Sequence, residues 1–111
     1  MTNTAPKDPD FPTRSQDCLS SLQDAFDAFD PDELEADLAA GVLKITFEDG
    51  THCVLNRQAA ASQIWLAAGA SAWHFAFDPA QDGWFDTKGR GELRAIVGEI
   101  LSKKLARTIR I

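Results

Sequence analysis

Eight carboxylates fall between Asp17 and Asp37, and no Lys or Arg interrupts the stretch from Arg14 to Lys44. Their spacing is regular. Asp24, Asp27 and Asp30 recur every three residues, which on a helix leaves neighbouring carboxylates about 5–6 Å apart along one side. Glu33, Glu35 and Asp37 alternate, which on a strand gives one face with about 7 Å between successive groups. Both spacings are too wide for one pair to cage a small ion. They suit an open ridge, where each ion takes one or two carboxylates and keeps most of its water. Carboxylates without thiolate or clustered imidazole favour hard cations: Mg²⁺, Ca²⁺, Mn²⁺, Fe²⁺ or Fe³⁺. A run of acids is more often a solvated face or a docking patch, so spacing alone leaves metal ions and a basic protein surface as alternatives. The crowding itself has a cost, since like charges repel and Asp30, Asp32 and Glu33 sit where a helix end disfavours negative charge.

Other chemistry finds little support. Cys18 and Cys53 match no CxxC or zinc spacing and read as buried free thiols. His52 and His74 are far apart in sequence, both face outward on their strands and read as solvated surface residues. There is no phosphate-binding glycine loop, no HExxH and no arguable Ser-His-Asp group. A closely paired metal site, as an oxidising enzyme would need, is at odds with the open spacing; a non-enzyme is expected, with weak ferroxidase-type activity as the alternative. Trp65 is a separate oddity. The alternation that buries Ile64 and Leu66 pushes its indole outward beside Asn56, Gln58 and Gln63. It is either an interaction anchor or covered by a loop or the C-terminal tail.

The elements that must position these groups follow from period. Residues 1–13, rich in Pro, Asp and Thr, read as a flexible leader to a domain spanning 14–107. From Arg14, Cys18, Leu19, Leu22, Ala25, Phe26 and Phe29 form one apolar helical stripe, with Asp17, Asp24 and Asp27 opposite it, Asp30 at its edge and Pro31 as the stop. Leu34, Ala36 and Leu38 then alternate with the acids. Leu43, Ile45 and Phe47 alternate in turn, and Asp49-Gly50 predicts a two-residue hairpin turn into a strand from Thr51 to Asn56. Gln63 to Ala67 and a run holding Trp73, Phe75 and Phe77 make two more strands, and Trp84-Phe85 a short sixth. A last helix buries Leu93, Ile96, Val97, Ile100, Leu101 and Leu105, and 108–111 remain as a tail. The order predicts an α+β two-layer sandwich: two terminal helices on one face of an antiparallel sheet of five or six strands.

Composition agrees. The chain has 111 residues with 44% hydrophobic and 25% charged, enough for one core. Its net charge of −6 is lopsided: residues 1–55 hold 12 acids and 3 bases, residues 56–111 hold 5 acids and 8 bases. An acidic chain without a basic stripe is not expected to bind nucleic acid. No apolar run approaches a membrane span, and no targeting presequence is evident, so a reducing cytoplasm is expected.

Together, the acidic helix and strand, Gly41-Val42-Leu43-Lys44-Ile45-Thr46-Phe47, Asn56-Arg57-Gln58, Gln63-Ile64-Trp65-Leu66-Ala67 and Trp73-His74-Phe75 resemble the frataxin family in its bacterial CyaY branch. The likeness covers about residues 15–106, and the Asn-Arg-Gln…Gln-x-Trp-Leu-Ala run is its specific part. It implies the same sandwich, weak binding of ferrous or ferric iron on the ridge with other divalent cations able to substitute, and a role in iron–sulfur cluster assembly. It implies Asp24, Asp27, Asp30, Glu33, Glu35, Asp37 and Glu48 as metal residues, and Asn56, Arg57, Gln58 and Trp65 as partner contacts. The implied partners are the cysteine desulfurase and the scaffold machinery, met by a monomer; whether it oligomerises on iron loading is left open by the sequence. Two departures stand out: Ala59-Ala60-Ala61 where the family usually has a Pro, and Gln23 and Ala28 where bacterial relatives often carry acids. The implied function is iron donation, regulation of the desulfurase, or both; a metal-independent interaction regulator using the same surface is the alternative. Family tails pack on the helices, and Ile109 and Ile111 suit that role.

Overall fold

The computed structural model describes residues 8–111, so the leader expected over 1–13 lies mostly outside the described residues. Within them the elements are α1 (Phe11–Asp27), β1 (Leu34–Ala39), β2 (Val42–Phe47), β3 (His52–Gln58), β4 (Gln63–Ala68), β5 (Ser71–Asp78), β6 (Gly83–Asp86) and α2 (Leu93–Leu105). The strands form one sheet in chain order, each antiparallel to its neighbour. Both helices cover one face; among the described residues no layer covers the other. The two-layer sandwich is as expected, with six strands.

Register explains how the core closes. Leu38, Leu43, Leu55, Leu66 and Trp73 stand opposite one another across five strands, a continuous apolar row on the helix side. Leu19, Leu22 and Phe26 of α1 and Leu93, Ile96, Val97 and Leu101 of α2 are buried against that side. Truncating any fully buried leucine here, Leu66 for instance, costs about 3–5 kcal/mol through lost transfer energy and the cavity left behind.

α1 begins three residues before the expected Arg14. Pro12 lies in its first turn, where a fixed φ helps and the missing N–H is not needed. Phe11 is buried edge-on against Trp84, with ring centroids 5.9 Å apart. The helix also ends earlier than the Pro31 stop suggests, at Asp27. Asp30 is therefore in the connecting turn, where its Oδ1 accepts the Asp32 N–H at 2.9 Å.

The hairpin turns differ from expectation in an instructive way. Asp49-Gly50 is not a two-residue turn. Phe47 N–H donates to Thr51 C=O and Gly50 N–H to Phe47 C=O, giving a three-residue loop with Gly50 at φ +85°. Two-residue turns occur instead at Ala40-Gly41 between β1 and β2, both at positive φ, and at Gly69-Ala70 between β4 and β5. Gly41 is favoured by its φ of +77°, and the Arg57 side chain lies over it, with Nε 2.6 Å from where a Cβ would stand.

α2 opens with Glu92, whose carboxylate accepts from the Arg94 and Ala95 N–H groups. Lys103 and Lys104 stand in its last turn, complementing the helix dipole. The tail then folds back: Ile109 N–H donates to Ser102 Oγ at 2.8 Å, and a Cβ on Gly98 would lie 3.1 Å from the Ile109 carbonyl oxygen. Ile109 and Ile111 pack against the core, as the resemblance implied.

Candidate functional site

Asp24, Asp27, Asp30, Glu35 and Asp37 are exposed, spread over the C-terminal half of α1, the turn after it and the outer side of β1. Among the described residues none of them forms an ion pair. Asp37 stands opposite Lys44 in the β1–β2 register, yet the two side chains do not bridge. No group of three His, Cys, Asp or Glu side chains among the described residues is close enough to cage an ion. The ridge is open, as its spacing suggests.

Its far end is different. Glu33, just before β1, has its carboxylate gripped by the two terminal guanidinium nitrogens of Arg107, Nη2 at 2.9 Å. Asp49, beside Glu48 on the β2–β3 loop, meets Lys104 Nζ at 2.6 Å. Arg107 holds the Glu33 carboxyl below its ordinary range, and hydrogen bonds from Lys104 and Thr51 do the same to Asp49. Basic residues at and just beyond the end of α2 thus pair Glu33 and Asp49, while Glu48 between them is exposed and forms no ion pair among the described residues. Which acids are taken depends on contacts between segments as far as 74 residues apart, beyond the reach of local pattern.

The second surface is the uncovered sheet face. Val42, Asn56, Trp65 and His74 stand in one row across β2 to β5. Trp65 Nε1 donates to Gln63 Oε1 at 2.8 Å. Its indole lies flat on the His74 imidazole, centroids 4.1 Å apart and planes within 9°, a cross-strand contact of about 0.5–1.5 kcal/mol. His74 does face outward but is half-buried by this stack, not a solvated surface histidine; His52 is exposed as expected. Gln58 faces Gln63 in the next row. Arg57, by strand alternation, belongs to the opposite face from Asn56 and Gln58, and its guanidinium lies over Gly41. The Asn-Arg-Gln run is therefore divided between two sides.

Beneath the platform is a knot that local sequence spacing does not announce. The Asp86 side chain is fully buried and accepts from Arg90 Nε at 2.8 Å, Arg90 Nη2 at 3.1 Å and the backbone N–H groups of His74, Lys88 and Arg90. Arg90 Nη2 also donates to Ala72 C=O at 2.8 Å, and Thr87 N–H to His74 C=O at 2.8 Å. These bonds serve the stretch of β5 that β6 is too short to pair. The Arg90 guanidinium holds the Asp86 carboxyl down at about 2. Both cysteines are free; burial pushes the Cys18 thiol up to about 11 and raises Cys53 as well, which makes them poor ligands and nucleophiles. No helix among the described residues is long and apolar enough to cross a membrane.

Comparison with known proteins gives one family. The frataxin-like domain matches residues 4–107. The iron-sulfur cluster assembly protein CyaY of Thioalkalivibrio sulfidiphilus is 36% identical over 102 residues, covering 91% of this chain and 95% of its own. The protein of the same name from Pseudomonas aeruginosa is 42% identical over 74 residues, 64% of this chain and 68% of its own. Among solved structures, frataxin from Psychromonas ingrahamii superposes with a TM-score of 0.82 at 19% identity, covering 95% of this chain and 97% of that one. Trimeric frataxin from Saccharomyces cerevisiae, complexed with ferrous iron, gives 0.67 at 21% identity, covering 96% and 94%. At those identities the structures speak to the fold.

Proposed function

The chain belongs to the frataxin-like family, and from that premise we propose that it serves iron–sulfur cluster assembly in the cytoplasm as an iron carrier and a regulator of the cysteine desulfurase. The observation that carries this reading is the set of five ridge carboxylates with no intramolecular cation among the described residues. All-oxygen, well-hydrated and loosely spaced, they fit Fe²⁺ or Fe³⁺ as cargo: held by one or two carboxylates, exchanged readily, and replaceable by other divalent cations. Nothing in that geometry activates a bound oxidant, so the protein acts as a carrier and modulator, with no enzymatic turnover of its own.

The same field attracts a basic protein surface. The ridge steers the desulfurase, while Trp65 with Asn56 and Gln58 supplies a fixed contact for the desulfurase–scaffold assembly. The yeast relative is trimeric; neutralising the ridge with iron would remove the repulsion that keeps copies of this chain apart.

Calorimetric titration against cysteine desulfurase, with ferrous iron and with chelator, tests the two roles together. Amide NMR during ferrous titration is expected to move signals across Asp24–Asp37. Unmoved signals would remove the iron role. Binding that survives chelator but is lost in a Glu35→Lys/Asp37→Lys variant would favour the metal-independent regulator.

A further inference from the structure

We propose that His74 is a positioning residue for Trp65, holding the indole in the one orientation in which it docks a partner protein. The inference rests on the reading of Trp65 as a partner contact. Three observations define it. Gln63 Oε1 takes the indole N–H at 2.8 Å and fixes one edge of the ring. The His74 imidazole covers one ring face, nearly parallel at 4.1 Å. His74 is itself fixed at the backbone: its N–H goes to Asp86 Oδ1 at 3.3 Å and its C=O accepts from Thr87 at 2.8 Å.

An unsupported surface indole samples several rotamers and loses that freedom on docking. A ring already held at its edge and its face loses less, so the same contacts yield tighter binding. Position 74 is suited to the task because the β4–β5 register puts it directly opposite Trp65. An imidazole is flat enough to stack and small enough to leave the rest of the row, Asn56 and Val42, on the far side of the indole. Asp86 and Arg90 secure the strand that presents it, so the chain of support runs from a buried carboxylate to a half-buried ring on the sheet's outer face.

A double-mutant cycle on the full chain decides the matter, with binding to the cysteine desulfurase–scaffold complex measured by calorimetry. Melting curves confirm that each variant is folded. His74→Ala is expected to weaken binding about three- to tenfold, and His74→Phe, which still stacks, to restore it. In a Trp65→Ala background, His74→Ala should add nothing. The Trp65 Nε1–H NMR signal should shift and broaden in His74→Ala and return to a single sharp line in His74→Phe. Wild-type affinity in His74→Ala, with Trp65→Ala weakened, would overturn the inference and leave the docking role of Trp65 intact. A His74→Ala loss that persists without Trp65, or that Phe does not rescue, would overturn it too. If Trp65→Ala itself binds like wild type, the docking reading fails, and with it the functional part of the proposal.

Discussion

The ridge and the uncovered sheet face carry their functional groups in opposite ways. On the ridge, Asp24, Asp27, Asp30, Glu35 and Asp37 are exposed and share no ion pair among the described residues. On the sheet, Trp65 is stacked, hydrogen-bonded at its edge and supported from below. The first surface acts through summed charge, which tolerates loss of any one member and weakens with salt. The second acts through shape, which does not. In the function proposed, one surface gathers ions and steers partners and the other recognises a particular partner.

Four changes break or sharpen that contrast. The largest effect belongs to Asp86→Ala, which removes the acceptor for five donors and is expected to cost about 3 kcal/mol of stability, read by urea denaturation. Its pH dependence follows from the depressed carboxyl. Stability from this group is present above the unfolded carboxylate range and lost as pH falls through about 2. Glu33 and Asp49, also depressed, add in the same direction. Wild-type protein should lose stability between about pH 4 and pH 2, and Asp86→Asn should show a shallower loss in that window.

Next, Trp65→Ala should weaken desulfurase binding by about 2 kcal/mol, near 30-fold, while ferrous-induced shifts on the ridge amides stay as they are. Glu35→Lys with Asp37→Lys should do the reverse: ridge shifts fade, and binding falls about tenfold at low salt, a deficit that closes as ionic strength rises. A deficit independent of salt would mean that the ridge also works by shape. The smallest effect is expected from Arg107→Ala. Freeing Glu33 should bring its amide into the set that moves on ferrous titration, with little change in melting temperature because the pair is partly exposed.

Much of this architecture can be read from period alone. The alternation of Leu34, Ala36 and Leu38 with acids, and the stripe of Leu19, Leu22 and Phe26, fix which faces are wet before any coordinates exist. Boundaries were harder: α1 stops at Asp27 rather than at Pro31, so Asp30 leaves the helix face. The Asp-Gly signal pointed to a hairpin but not to its loop length, because the extra residue is set by pairing of Phe47 with Thr51. Contacts between distant segments were out of reach. Nothing near Glu33 in sequence announces Arg107, and nothing near Trp65 announces His74 until two strands are in register.

The knot at Asp86 and Arg90 also constrains how the sequence can drift. Losing Arg90 strands a buried carboxylate; losing Asp86 leaves the guanidinium with only the Ala72 carbonyl and strips the partner from the backbone N–H groups of His74, Lys88 and Arg90. An apolar pair of matching size could fill the same space at little net loss, yet each single step toward it crosses a poorly folded intermediate. The two positions are thus expected to be inherited as a unit, and a homologue that lacks one should lack the other.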